Sequence, residues 1–211
     1  MRILIAALVA TTAVATPIVA QQMKAPGTKN VAIVTGGTYQ VDPNHTFATW
    51  TVDHFGFTPL TGIFGSMTGT LQLDPKAPAA TKVDVTIPIE KGLMTVEGLK
   101  NHFLRPGKDG GKPDFFGPDP APGRFVSTRV TVRGKDAATL AGNLTLNGVT
   151  KPVTLAVRFY GAGRMPAQMG GKENVGFTAT GTVRRSDFGL GLAVPLVSDE
   201  VQLNISAAFM K

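Results

Sequence analysis

The chain has 211 residues, enough for about one domain of the usual 100–200 residues. It carries 21 Lys and Arg against 14 Asp and Glu, a formal +7, and its 43% hydrophobic content is too apolar for a disordered protein. Cysteine is absent, which excludes disulfides, thiol catalysis, Cys-type zinc sites and iron–sulfur clusters and leaves core burial as the source of stability.

Residues 1–20 have the pattern of a signal peptide. Met1-Arg2 is a short positive start, and Ile3 to Ala15 is an apolar run broken only by Thr11 and Thr12. Pro17 then breaks the helix, and Ile18-Val19-Ala20 predicts cleavage near Ala20-Gln21. The run is shorter than the ~20 residues that span a bilayer, so the expectation is export without stable membrane insertion. Lys and Arg are scattered, with Arg184-Arg185 as the one dense group. Nucleic-acid binding needs clustered cations interleaved with aromatics, so no nucleic-acid partner is expected. Weak attraction to anionic membrane surfaces is compatible with this charge.

Residues 21–37 have no sustained period and contain Pro26, Gly27, Gly36 and Gly37, which reads as a loose leader with a short extended piece at 31–34. From Tyr39 the alternation of half-buried strands takes over. Ala48, Trp50 and Val52 share one face; so do Met67, Leu71 and Leu73, and then Val83, Val85, Ile87 and Ile89. A short helix is predicted around 92–104 from Val96, Leu99 and Phe103, ending before Pro106-Gly107. The second half continues with Val130 and Val132, Leu140 to Leu146, Val153 to Phe159, Phe177 to Val183, and Val201 to Phe209. Turns are predicted at Asp74-Pro75, Gly134-Lys135-Asp136 and 161–171, and Asn147-Gly148 is a strong hairpin signal. About eight or nine strands with short links make an all-β, antiparallel sheet that must close or double up to hide its edges. Periodicity leaves sandwich and barrel both open.

Several segments resemble the YceI-like family, exported bacterial proteins that bind polyisoprenoids and related lipids. They are Tyr39 to Asp42, His45 to His54 with Gly56, Gly62 and Phe64, Asn101-His102-Phe103-Leu104, Asp114-Phe115-Phe116, and Gly142 to Pro152. The match closes with Gly176 to Ala179, Arg185 to Gly189, and the last strand from Val201. The resemblance implies a lipocalin-like, eight-stranded antiparallel β-barrel with an apolar cavity over residues 38–211. Two departures concern the rim: Arg105 to Pro113 is inserted before Asp114, and Asn101 stands where the family has an acid.

The resemblance further implies a periplasmic protein that carries or stores a polyprenyl or quinone-type lipid, with no other cofactor and no metal, and it admits a homodimer. The expected ligand-lining residues are Trp50, Val52, His54, Phe64, Met67, Leu71, Val85, Ile87, Phe116, Leu144, Phe177, Ala179, Phe188 and Leu203. Gly69, Gly142, Ala179, Gly181 and Ala207 share the phase of these faces and are expected to leave space. His45, His102, Arg185 and Asp187 are expected at the rim or a head group. The alternative is a secreted structural or stress-response barrel, filled inside and acting through a surface such as 105–113.

No enzyme is expected. His45 and His54 are nine positions apart and project to opposite faces of an extended run, a poor chelating pair. Ser186-Asp187 lacks a base and a nucleophile elbow. Arg185 and Asp187 read as an ion pair that fixes a strand end, and the Gly-rich stretches 107–111 and 161–171 as flexible connections, since neither has the setting of a phosphate loop.

Overall fold

Side chains that alternate along a strand can hide only one face, and in a computed structural model that describes residues 24–211 the strands do so by closing on themselves. The strands are β1 (Gly37–Val41), β2 (Phe47–His54), β3 (Thr58–Phe64), β4 (Thr68–Leu73), β5 (Lys82–Ile87) and β6 (Leu93–Met94). After helix α1 (Glu97–Leu104) come β7 (Gly123–Val132), β8 (Ala137–Leu146), β9 (Val149–Arg164), β10 (Glu173–Arg184) and β11 (Glu200–Met210). The predicted signal peptide lies outside the described residues.

All pairings are antiparallel, in the order β1-β4-β5-β7-β8-β9-β10-β11, and β11 returns to β1 through Val41 and Phe209. β11 has two partners on that side, β1 at its C-terminal end and β2 from Gln202 to Ser206. β1 and β2 are therefore halves of one bent strand, as are β3 and β4, and eight such units close the barrel. The first bend is held by Thr46, whose hydroxyl donates to the Ala208 carbonyl (2.9 Å) and accepts from the Ala208 N–H (3.0 Å). At the second bend Gly69 (φ +137°) lies against β5 so closely that a Cβ would meet the Asp84 carbonyl oxygen at 2.0 Å. Only glycine fits there.

β3 meets β6 through Gly62 and Ile63 alone, so the wall splays open between β3 and β5. Helix α1 and the segment to Gly117 cover that opening. The helix ends where expected, because Arg105 precedes Pro106 and is driven into an extended conformation (ψ 148°). It starts later than expected, since Leu93 and Met94 are taken by β6. Asn147 (φ 51°) and Gly148 (φ 76°) make the two-residue β8–β9 hairpin with left-handed residues at both positions.

Two expectations are corrected by one fact: β9 outruns β8. β8 pairs with β9 only as far as Arg158, while β9 pairs with β10 up to Arg164, so Gly161 belongs to a strand and the turn is confined to 165–172. The edge left free on β9 needs a partner, and the supposed loose leader supplies it. Thr28 forms a β-bridge with Ala162, exchanging bonds of 2.8 and 2.9 Å. Gly163 permits the approach, since a Cβ there would lie 2.2 Å from the Pro26 carbonyl oxygen. Residues Val31–Ile33 form a 3₁₀ turn capped by Asn30 rather than an extended piece, and Val34 is buried.

The interior packs as two clusters. One holds Tyr39, Val41, Met67, Leu71, Val175 and Phe209; the other holds Leu144, Val153, Leu155, Ala179, Phe188 and Leu190. Ile87 touches both. A filled domain of this size has one contiguous core. Here inward-facing side chains between the clusters, including Phe177, Ile205 and Ala207, stay only half-buried.

Candidate functional site

The space between the clusters is a cavity of about 760 Å³, towards the upper end of the roughly 300–1,000 Å³ typical of ligand pockets. All fourteen residues expected to line it do so: Trp50, Val52, His54, Phe64, Met67, Leu71, Val85, Ile87, Phe116, Leu144, Phe177, Ala179, Phe188 and Leu203. The period-two pattern explains this, since each sits on the inward face of its strand or on the loops that roof it.

The expectation that glycines leave the space is overturned at three positions. A Cβ on Gly142 would lie 2.4 Å from the Phe125 ring, and one on Gly181 would lie 2.6 Å from a methyl of Leu155. Gly69 abuts backbone, as described above. Neighbouring side chains or strands fill these sites, so the void comes instead from barrel closure and from Ala48, Ala138, Ala179 and Ala207 on the wall.

The cap contributes residues that strand periodicity could not indicate. Phe103 of α1 stacks on Trp50 (centroids 5.5 Å apart, 17° between planes) and on Phe115 (4.9 Å, 13°). Phe116 bridges Phe103 (5.7 Å) and Phe64 (6.4 Å). The N–H groups of Phe116 and Gly117 both donate to the Phe103 carbonyl, tying the returning segment to the helix end. Phe103 and Phe115 fall in the segments that carry the family resemblance, but their phase relative to the barrel is set by a helix and a coil.

The buried cation of the cavity wall is already committed. Arg185 is buried and gives its protons to four carbonyls: Nε to Ser198 (2.8 Å), Nη1 to Leu190 (2.5 Å) and Leu192 (2.8 Å), and Nη2 to Val197 (2.7 Å). Burial pushes its pKa down, with the Asp199 charge opposing. The expected Arg185–Asp187 ion pair is thus corrected: Asp187 is exposed and outside the cavity lining, and the pair at this strand end is Arg184–Asp199 (3.0 Å). A planar fork buried among carbonyls gains more there than from an exposed carboxylate.

His45 is also displaced from its expected place. It is 74% exposed beside Asp42 (Nδ1–Oδ2 2.6 Å) and does not line the cavity. His54 lines it and packs edge-on to Phe55. His102 reaches it too, with its outer edge near Asp114 (3.5 Å) and its ring edge-on to Phe115. Arg105, from the inserted segment, pairs with Asp114 and holds that carboxyl below the usual carboxylate range, with His102 adding to the effect. Among the described residues, one buried side-chain polar atom lacks a partner, Nε1 of Trp50. The indole is pressed against β3, where a Cβ on Gly62 would lie 2.3 Å from its ring.

Glu173, at the start of β10 and outside the cavity lining, is buried among hydrogen bonds. Its Oε1 accepts from the Tyr39 hydroxyl (2.6 Å) and the Thr35 N–H (3.0 Å), and its Oε2 accepts from the Thr35 hydroxyl (2.7 Å). Lys211 stands 3.9 Å from Oε2. Burial alone would raise the Glu173 pKa, but these bonds and the Lys211 charge outweigh it and hold the carboxyl low. Burial, then the bond to Glu173, push the Tyr39 hydroxyl up to about 12.

A closed antiparallel barrel around a hydrocarbon-lined chamber, roofed by aromatic rings at one end, is a lipocalin-like container. Residues 39–209 match the YceI-like domain, and the chain belongs to that family. It is 36% identical over 172 residues to a UPF0312 protein of Pseudomonas paraeruginosa, covering 80% of this chain and 84% of the relative. It is 37% identical over 171 residues to protein YceI of Salmonella arizonae, with 80% and 84% covered. Among solved structures, Burkholderia cenocepacia BcnA is similar with a TM-score of 0.64 at 21% identity, over 80% of this chain and 98% of that one. A polyisoprenoid binding domain from Saccharophagus degradans is similar with a TM-score of 0.55 at 11% identity, over 81% and 97%. These two likenesses concern the fold.

Proposed function

We propose that this protein binds a long-chain isoprenoid or comparable amphiphilic lipid inside the barrel and carries or stores it in the periplasm, without chemically altering it. The observation that carries this reading is the cavity: about 760 Å³ and lined almost wholly by hydrocarbon, with the buried Arg185 and Thr46 side chains hydrogen-bonded to backbone. Such a chamber has little to offer a charged or hydrogen-bonding guest and much to offer a hydrocarbon chain. Burying a CH2-sized group yields ~0.8 kcal/mol, so several isoprene units offer more than ~10 kcal/mol. Association costs about 4–15 kcal/mol, so long chains bind well and short ones weakly. The similar fold of a polyisoprenoid binding domain supports the same reading. The signal-peptide pattern of residues 1–20 supports the compartment.

The test is mass spectrometry of organic extracts of the purified protein, joined to titration with a series of prenyl alcohols. A co-purifying lipid, and affinity that rises with chain length until the cavity is full, are expected. Empty extracts together with affinity independent of chain length would refute the proposal. Cell fractionation, with N-terminal sequencing expected to begin at Gln21, checks the compartment.

A further inference from the structure

The loop Gly189 to Val197, between β10 and β11, is Gly-Leu-Gly-Leu-Ala-Val-Pro-Leu-Val, nine residues without one polar side chain. The β2–β3 turn beside it carries Phe55-Gly56-Phe57. Loops on a protein surface are ordinarily polar, and these are not hidden. Phe57 is 87% exposed, Leu196 60%, Phe55 44%, Leu192 41% and Val194 38%.

Both loops are held as one unit. His54 forms a β-bridge with Val197, the Phe55 N–H donates to the Leu196 carbonyl (2.8 Å), and the Ser198 N–H donates to the Asp53 carbonyl (3.0 Å). From below, the four carbonyl bonds of Arg185 span Leu190 to Ser198. An apolar surface loop therefore has a fixed shape, with Leu190 in the core and Leu192, Val194 and Leu196 exposed. Phe55, Leu192, Ala193 and Val197 also line the cavity, so this surface and the chamber are continuous.

We infer that these two loops are a membrane-docking surface, which seats the end of the barrel on a lipid bilayer so that a hydrocarbon tail passes into the cavity without crossing water. The inference rests on the lipid-binding reading above. Three features favour a bilayer as the occupant. The loops, 55–57 and 189–197, carry no ionisable side chain that would have to be stripped of water. Their exposed apolar surface is on the order of 400–500 Å², well below the ~800 Å² per partner of a standard protein–protein interface. The surface also adjoins the cavity, which Phe55, Leu192, Ala193 and Val197 line. The net positive charge adds a long-range attraction to anionic membranes, but apolar insertion is the anchoring interaction.

The experiment is flotation of the full-length mature protein with phosphatidylcholine vesicles, with and without phosphatidylglycerol, at low and high salt, beside the F57S/L196S double variant. Neither of those side chains lines the cavity. Wild type is expected to float with both vesicle types and to keep most of that association at high salt, while the variant loses at least about tenfold. Transfer of a fluorescent prenyl lipid out of vesicles should slow in the variant, whereas affinity for the same lipid supplied from detergent stays unchanged. Three results would overturn the inference: wild type that does not float, a variant that floats as well, or association that needs phosphatidylglycerol and vanishes in salt. So would a wild-type dimer in sedimentation equilibrium that F57S/L196S dissociates, because a second copy would then be the occupant. Vesicle binding without any binding of detergent-supplied lipid would refute the cavity function and leave docking standing. Thermal unfolding of the variant within a few degrees of wild type excludes misfolding as the cause.

Discussion

Ala207 faces the cavity towards the end away from the 189–197 loop, next to Phe177 across the β10–β11 pair. Ala207→Phe puts a phenyl ring into space that a bound tail would otherwise fill. The ring displaces about five to six methylene equivalents, and at ~0.8 kcal/mol each this removes roughly 4–5 kcal/mol of burial for a chain that reaches this depth. Partial accommodation within so large a cavity lowers the expected loss to about 3 kcal/mol, or ~10²-fold in Kd. Because Ala207 lies at the far end, prenyl chains too short to reach it should bind as they do to wild type. The break between unaffected and affected lengths then measures the depth of the chamber. Isothermal titration with prenols of increasing length reads this directly, and Trp50, the one tryptophan of the chain, supplies an independent fluorescence signal. Stability should change little, because the ring enters a void rather than a packed core, where overpacking costs about 1–3 kcal/mol. Equal losses for the shortest and longest chains, or no loss for any, would refute the placement of the ligand.

Three further outcomes follow from the polar bonds and the aromatic roof. Arg185→Met should destabilise the fold by about 3–5 kcal/mol in urea unfolding, because it orphans four carbonyls, and Arg185→Lys should recover only part of that. The pH profile of stability should have two flanks. The Glu173 carboxyl sits below its ordinary 4.5 when folded, so its contribution is present above that value and is lost as pH falls through the lower folded pKa. The Tyr39 hydroxyl is raised from 10 to about 12, so its contribution is intact below 10 and is lost as pH rises towards 12. Thermal melts across pH read both flanks, and Glu173→Gln should flatten the acid one while costing about 1–3 kcal/mol at neutral pH. Phe103→Ala removes the ring stacked on Trp50, so tryptophan emission should shift to the red and lipid release should quicken in stopped-flow displacement. Unchanged emission would show that Phe103 does not shield the indole.

Much of this protein could be read from its residues one strand at a time. Alternation placed Trp50, Val85, Phe177 and Leu203 on inward faces because a strand's side chains have a period of two whatever surrounds them, and Asn147-Gly148 marked its hairpin because few residues accept left-handed backbone. What the one-dimensional pattern could not carry was any quantity set by two segments meeting. That Gly142 is filled by the Phe125 ring, that Thr28 covers the overhanging edge of β9, and that Phe103 roofs the chamber depend on strand lengths, register and the splay between β3 and β5. Arg185 illustrates the difference most sharply. Local spacing suggested Asp187 as its partner, but burial decided for four carbonyls of the β10–β11 connection, which folds back over the side chain. Whether the inward faces meet or leave a void is likewise a property of the closed wall, since the same alternating strands can line a solid core or a hollow one.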